Sequence, residues 1–128
     1  MLIEIVTPAG ACYKDEIDSV VLPTPLGYIE VFKGHTCLIN KIKIGVIKIK
    51  KNNKEEKYVS LGGIGRIDNK EVHLILHGFE DKNQIDFTRA ENSKTRAEER
   101  LKSKDPNIDL KRAEISLQRA LARLSLRD

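Results

Sequence analysis

Two hydrophobic periods divide this chain near residue 85. Up to residue 84 the apolar residues come in short runs separated by turn formers. Leu2-Ile3-Glu4-Ile5-Val6 reads as a strand closed by Thr7-Pro8-Ala9-Gly10, and Ile17–Leu22 as a second closed by Pro23 and Pro25. Gly27–Phe32, Cys37–Asn40 and Ile44–Lys50 are further strand candidates, the last alternating apolar Val46 and Ile49 with polar Lys48 and Lys50. Asn52-Asn53 predicts a hairpin turn into Lys57–Leu61. Gly62-Gly63 opens a short strand to Ile67, and Asp68-Asn69-Lys70 turns it into Val72–Leu76. Short strands with frequent turn signals predict an antiparallel β-sandwich or barrel over residues 1–84.

From residue 86 the period becomes helical. The segment holds no glycine, and Pro106 is its single proline. It also repeats itself: Ile85-Asp86-Phe87-Thr88-Arg89-Ala90-Glu91 returns as Ile108-Asp109-Leu110-Lys111-Arg112-Ala113-Glu114. Each copy suits a helix start, with the Asp as N-cap at the positive end of the helix dipole. Ser103–Asn107 must be a turn, because proline cannot continue the first helix. Residues 85–128 therefore form an antiparallel two-helix hairpin. Its seam is expected along Phe87, Ala90, Lys94 (by its stem), Ala97 and Leu101, facing Leu110, Ala113, Leu117, Leu121 and Leu124. This modest seam needs a surface to dock on.

Charge sharpens the division. The formal net charge is +4, yet residues 1–85 are nearly balanced, and seven of the eight arginines fall after residue 85. They form two stripes: Arg89, Ser93, Arg96, Arg100 and Arg112, Ser116, Arg119, Arg123. That spacing keeps each stripe within about 60° of one helix face. Guanidinium groups are planar forks suited to phosphate or carboxylate, so an anionic partner is expected at this end. In an antiparallel hairpin the start of one helix lies beside the end of the other. Arg89 can therefore approach Arg119 and Arg123.

Other chemistry is sparse. There is no Walker A pattern, no GxSxG and no HExxH. Gly62-Gly63-Ile64-Gly65 lies between strands rather than before a helix, so it reads as turn and close packing, not a phosphate cradle. Gly34-His35 reads as a turn. Cys12 and Cys37 are expected as buried or half-buried thiols, and their spacing to His35, His73 and His77 makes no zinc pattern. Met1–Glu4 runs straight into a strand without a secretory leader pattern, and no run reaches the roughly 18 apolar residues of a membrane span. A basic nucleic-acid-binding module is the other class the arginine helices permit. The near-neutral β region and the six aromatic residues, too few for a stacking platform, speak against it.

Several motifs in order resemble the epsilon subunits of F-type ATP synthases. They are Val21-Leu22-Pro23, Gly27–Phe32, Gly34-His35-Thr36, Ile44–Ile49 with Gly45-Val46, Gly62-Gly63, and the helices Ile85–Leu101 and Asp109–Leu124. Glu30, Lys33 and Cys37 stand where the family usually has glycine, proline and proline, and Arg66 where an acidic residue is common. The resemblance implies an antiparallel β-sandwich of about ten short strands followed by a helical hairpin, in a non-catalytic rotor subunit of the central stalk, on the cytoplasmic face of a bacterial plasma membrane or, as the second option, a thylakoid membrane. Its sandwich would bind the gamma subunit and the loops of the c-ring, the latter near Gly27–His35. Its hairpin would either fold on the sandwich or extend toward acidic segments of the beta subunits and restrain hydrolysis. The resemblance further implies no required cofactor, but ATP as a regulatory ligand of the folded hairpin. The matching residues are Asp86, Arg89, Ala90, Arg119 and Arg123, with help from Glu80 and Arg96.

Overall fold

The computed structural model of the chain describes residues 1–127. Eight strands are followed by two helices. They are β1 (Leu2–Thr7), β2 (Gly10–Glu16), β3 (Ser19–Thr24), β4 (Gly27–Phe32), β5 (Leu38–Lys51), β6 (Lys54–Ile67), β7 (Glu71–Leu76) and β8 (Phe79–Asp81), then α1 (Phe87–Lys102) and α2 (Leu110–Leu124). The strand order is β2-β1-β7-β6-β5-β3-β4, with β8 added beside β6. All pairs are antiparallel except β1 with β7, which run parallel.

β5 and β6 are 14 residues each and cross from one layer of the sandwich to the other. Near its start β6 pairs with β8 through Tyr58–Ser60, and near its end with β7 through Gly63–Ile67. The inward face changes parity along the way. On β5 the buried set passes from Ile42 to Gly45, Ile47 and Ile49, and on β6 from Ser60 and Gly62 to Gly65 and Ile67. The switch falls where Lys43 and Gly62 would face each other, and the Cα ladder omits that pair. Gly62 takes a φ of +92°, which favours glycine. Counting each arm of β5 and β6 separately gives ten segments. The expected strands Cys37–Asn40 with Ile44–Lys50, and Lys57–Leu61 with Gly62–Ile67, are thus two bent strands rather than four.

Ser60 holds this bend. It is fully buried; its hydroxyl donates to the Lys43 carbonyl at 3.2 Å and accepts from the Gly62 N–H at 3.1 Å. Ser60→Ala removes the bridging hydroxyl and strands both groups. We expect a loss of about 1–3 kcal/mol, read as a lower urea midpoint with unchanged slope.

The core between the layers is aliphatic: Ile3, Ile5, Val20, Leu22, Val31, Ile42, Ile47, Ile49, Val72 and Leu74 are at most 1% exposed. At the β5–β6 turn, Asn52 and Asn53 adopt φ of 51° and 64°, the paired left-handed conformation of a type I′ hairpin. The cysteines correct the sequence expectation, since both are exposed. Cys12 sits on the edge strand β2 and Cys37 in the loop before β5, where no second layer covers them.

The hairpin is two antiparallel helices in contact, of which α2 lies against β5 and β6. Ala90 and Ala97 of α1, and Ala113 and Ala120 of α2, are buried and let the two backbones approach. Leu110 and Leu121 depart from the expected seam and are 53% and 47% exposed. At about 100° per residue, Ala113 and Ala120 define the side facing α1, and Leu110 and Leu121 fall to its flank. The opposite side of α2 carries Ala122, which with Leu126 just beyond the helix packs on Val59, Ile44, Val46 and Leu61. This second apolar face is what docks the hairpin.

Candidate functional site

The arginine-bearing end of the hairpin meets β8. Phe79 stacks on Tyr58 with ring centroids 4.6 Å apart, which fixes β8 against β6 and leaves Glu80 directed at α2. Asp81 then caps a short 3₁₀ turn, Lys82–Gln84, with Gln84 returning the bond in a capping box. The chain enters α1 through Ile85 and Asp86. Asp86 is the N-cap, its Oδ1 accepting from the Arg89 N–H at 3.1 Å. Asp109 does the same for α2 with Arg112.

These elements enclose a cleft of about 340 Å³, lined by Glu80, Gln84, Ile85, Asp86, Arg89, Ala90, Ser93 and Arg123. Five of the seven sequence-predicted residues thus share one cleft: Glu80, Asp86, Arg89, Ala90 and Arg123. Arg96 and Arg119 do not line it. Arg119 borders a separate groove of about 740 Å³ between α2 and the β5–β6 bend, beside His77 and Ile115. Gln84, Ile85 and Ser93 line the cleft without being among the seven, and Ile85 was visible as the first residue of the helix-start repeat. Ser93 was visible in the arginine stripe; Gln84 had no signal beyond its place before the helix.

The electrostatics are specific. Arg123 forks onto Glu80, Nε to Oε1 at 2.8 Å and Nη2 to Oε2 at 3.1 Å, with both side chains under a third exposed. Such a bidentate, partly desolvated pair ties α2 to β8 more firmly than a surface ion pair would. Arg89 is exposed and has no carboxylate partner among the described residues. The cleft therefore offers one free guanidinium, one guanidinium shared with Glu80, a serine hydroxyl, and an apolar wall at Ile85 and Ala90. It can hold an anionic group beside a flat or apolar one. Among the described residues no three metal-ligating side chains converge. Nor, among the described residues, is any helix long and apolar enough to cross a membrane.

The architecture defines a class: a small β-sandwich with a helical hairpin docked on it. Residues 1–82 match the family model of the β-sandwich domain of the ATP synthase delta/epsilon chain, and residues 83–126 that of its long α-helix domain. The ATP synthase epsilon chain of Clostridium kluyveri is 41% identical over 95% of this chain and 92% of its own length. That of Desulfitobacterium hafniense is 37% identical over 96% and 92%, and that of Bacillus mycoides 32% over 98% and 95%. Among solved structures, a chain of the Euglena gracilis mitochondrial ATP synthase OSCP/F1/c-ring assembly superimposes with a TM-score of 0.86, at 18% identity, over 98% of this chain and 79% of that one. A chain of the Tetrahymena thermophila central stalk and c-ring gives 0.61 at 15% identity. At those identities the likeness speaks for the fold. The chain belongs to the ATP synthase delta/epsilon chain family, as an epsilon-type, non-catalytic stalk subunit.

Proposed function

We propose that the chain is a rotor subunit of the central stalk, peripheral on the cytoplasmic face of a bacterial plasma membrane. Its sandwich joins the gamma subunit to the loops of a proton-driven c-ring, and its hairpin regulates ATP hydrolysis. The observation that carries the regulatory part is the gathering of Asp86, Arg89 and Ala90 from the start of α1 with Arg123 from the end of α2 and Glu80 from β8. These residues meet only when the hairpin is docked. A ligand that needs them all stabilises the docked form and opposes the extended one.

ATP fits the set. Arg89 and Arg123 supply forks for the phosphates, Ile85 and Ala90 an apolar side for the base, and Glu80 or Asp86 an acceptor for its exocyclic amine. Arg96 and Arg119 lie one helical turn from Ser93 and from Arg123 respectively. They are the further cations that the family resemblance offers for a triphosphate tail leaving the cleft. When the hairpin extends, the same arginines are released to meet acidic segments of the beta subunits.

The test is ATP hydrolysis by a synthase depleted of its epsilon chain. Adding the full chain is expected to lower hydrolysis, whereas residues 1–84 bind without inhibiting. Equal inhibition by both would remove the hairpin from the regulatory role.

A further inference from the structure

The sequence repeat has a structural counterpart at the other end of the hairpin. Arg100 follows Arg89 by the same 11 residues that separate Arg123 from Arg112. Because the helices are antiparallel, the repeat makes two related clefts. One lies at the base, between the start of α1 and the end of α2. The other lies at the tip, between the end of α1 and the start of α2. It measures about 360 Å³ and is lined by Arg100, Asn107, Ile108, Asp109, Arg112 and Ala113.

The clefts differ in charge. At the base two arginines face two carboxylates, Glu80 and Asp86, and Arg123 is already engaged by Glu80. No sandwich residue lines the tip cleft. Arg100 and Arg112 there face Asp109 alone, and the Asp109 Oδ1 is occupied by the Arg112 N–H at 3.1 Å. Among the described residues neither guanidinium has an ion pair or a side-chain hydrogen bond. Two unengaged forks from two different helices thus border one small cleft with a net positive charge.

We propose that the hairpin tip is a second oxyanion site, which takes a phosphoanhydride group between Arg100 and Arg112. Paired guanidinium forks favour a doubly charged, multidentate anion over a single carboxylate. Ile108 and Ala113 are the only apolar lining, too little for a nucleobase, so the site reads phosphate and not nucleoside. Inorganic pyrophosphate and the phosphate tail of a nucleotide should therefore bind alike, in contrast to the base cleft. An anion bridging α1 and α2 here would stiffen the hairpin at its turn. The proposal does not depend on ATP binding at the base.

The test is a titration of the full chain with pyrophosphate at constant ionic strength, following the Nε–Hε signals of the arginines by NMR. Saturable shifts are expected at Arg100 and Arg112, both in wild type and in Arg123→Gln, which disables the base cleft. Titration with ATP should give the same tip dissociation constant. Arg112→Gln should weaken tip binding by about tenfold or more, and Arg112→Lys, which keeps the charge but loses the fork, by less. A linear drift shared with Arg66 and Arg96, or an unchanged titration in Arg112→Gln, would overturn the proposal. So would saturation by an acidic peptide but not by pyrophosphate.

Discussion

ATP should raise the melting temperature of the full chain, and Arg89→Ala should abolish that rise while leaving the ligand-free protein as stable as wild type. Linkage sets the scale: a ligand that binds only the docked hairpin stabilises it by about 2.7 kcal/mol at roughly 100 times its dissociation constant. That is enough to convert an evenly balanced docked–extended equilibrium almost completely. Arg89 is exposed and has no ion pair among the described residues, so its loss costs the ligand a charge-assisted bond and costs the fold little. Arg123→Ala should behave differently. It leaves the partly buried Glu80 carboxylate without its fork, so the ligand-free protein should lose about 1–3 kcal/mol as well as its response to ATP. Arg66→Ala, in β6 and away from the cleft, should keep both properties. Differential scanning fluorimetry with and without nucleotide separates the three patterns. A wild-type melting curve that millimolar ATP does not move would exclude nucleotide sensing.

Cutting the chain between the domains should give one folded piece and one unfolded piece. Residues 1–84 alone are expected to unfold cooperatively, because every member of the large aliphatic core lies within them. Burying one such side chain contributes about 1.5–3 kcal/mol. Residues 85–128 alone are expected to show little helix. The side chains buried between α1 and α2 are chiefly alanines, and helices of 15 or 16 residues are marginal in water. The apolar groups that hold the hairpin, Ala122 and Leu126, rest on Val59 of the sandwich and lose that surface on excision. Far-UV circular dichroism of each piece decides the matter. A cooperative transition in the isolated hairpin would contradict its dependence on the sandwich surface, and a disordered residue 1–84 fragment would contradict the self-sufficiency of the aliphatic core.

The helices were the most legible part of the sequence. Their caps, Asp86 and Asp109, and the break at Pro106 are local signals, and local physics decides them. The strands were legible where apolar residues alternate, as in β1 and β7. β2 escaped because Gly10-Ala11-Cys12-Tyr13-Lys14-Asp15-Glu16 buries almost nothing and is a strand only by pairing with β1. β8 escaped because three residues carry no period. Gly62-Gly63 signalled irregular backbone, but a bend within one strand and a break between two strands give the same local pattern. At the site, Asp86, Arg89 and Ala90, and Arg119 with Arg123, could be grouped from the family's helix motifs, and antiparallel geometry allows Arg89 to approach either of the last two. The choice of Arg123 over Arg119 could not be read, because it depends on how α2 rotates to place Ala122 on the sheet. The fork between Arg123 and Glu80 spans 43 residues and belongs to tertiary structure alone.

Co-purification tests the stalk assignment most directly. The full chain, produced together with the gamma-type subunit of the same organism, should elute with it as a stable complex of one copy each. Residues 1–84 should suffice to form that complex, since the sandwich is the stalk-binding domain in this account. A gamma subunit that elutes alone in the presence of folded full chain would contradict it.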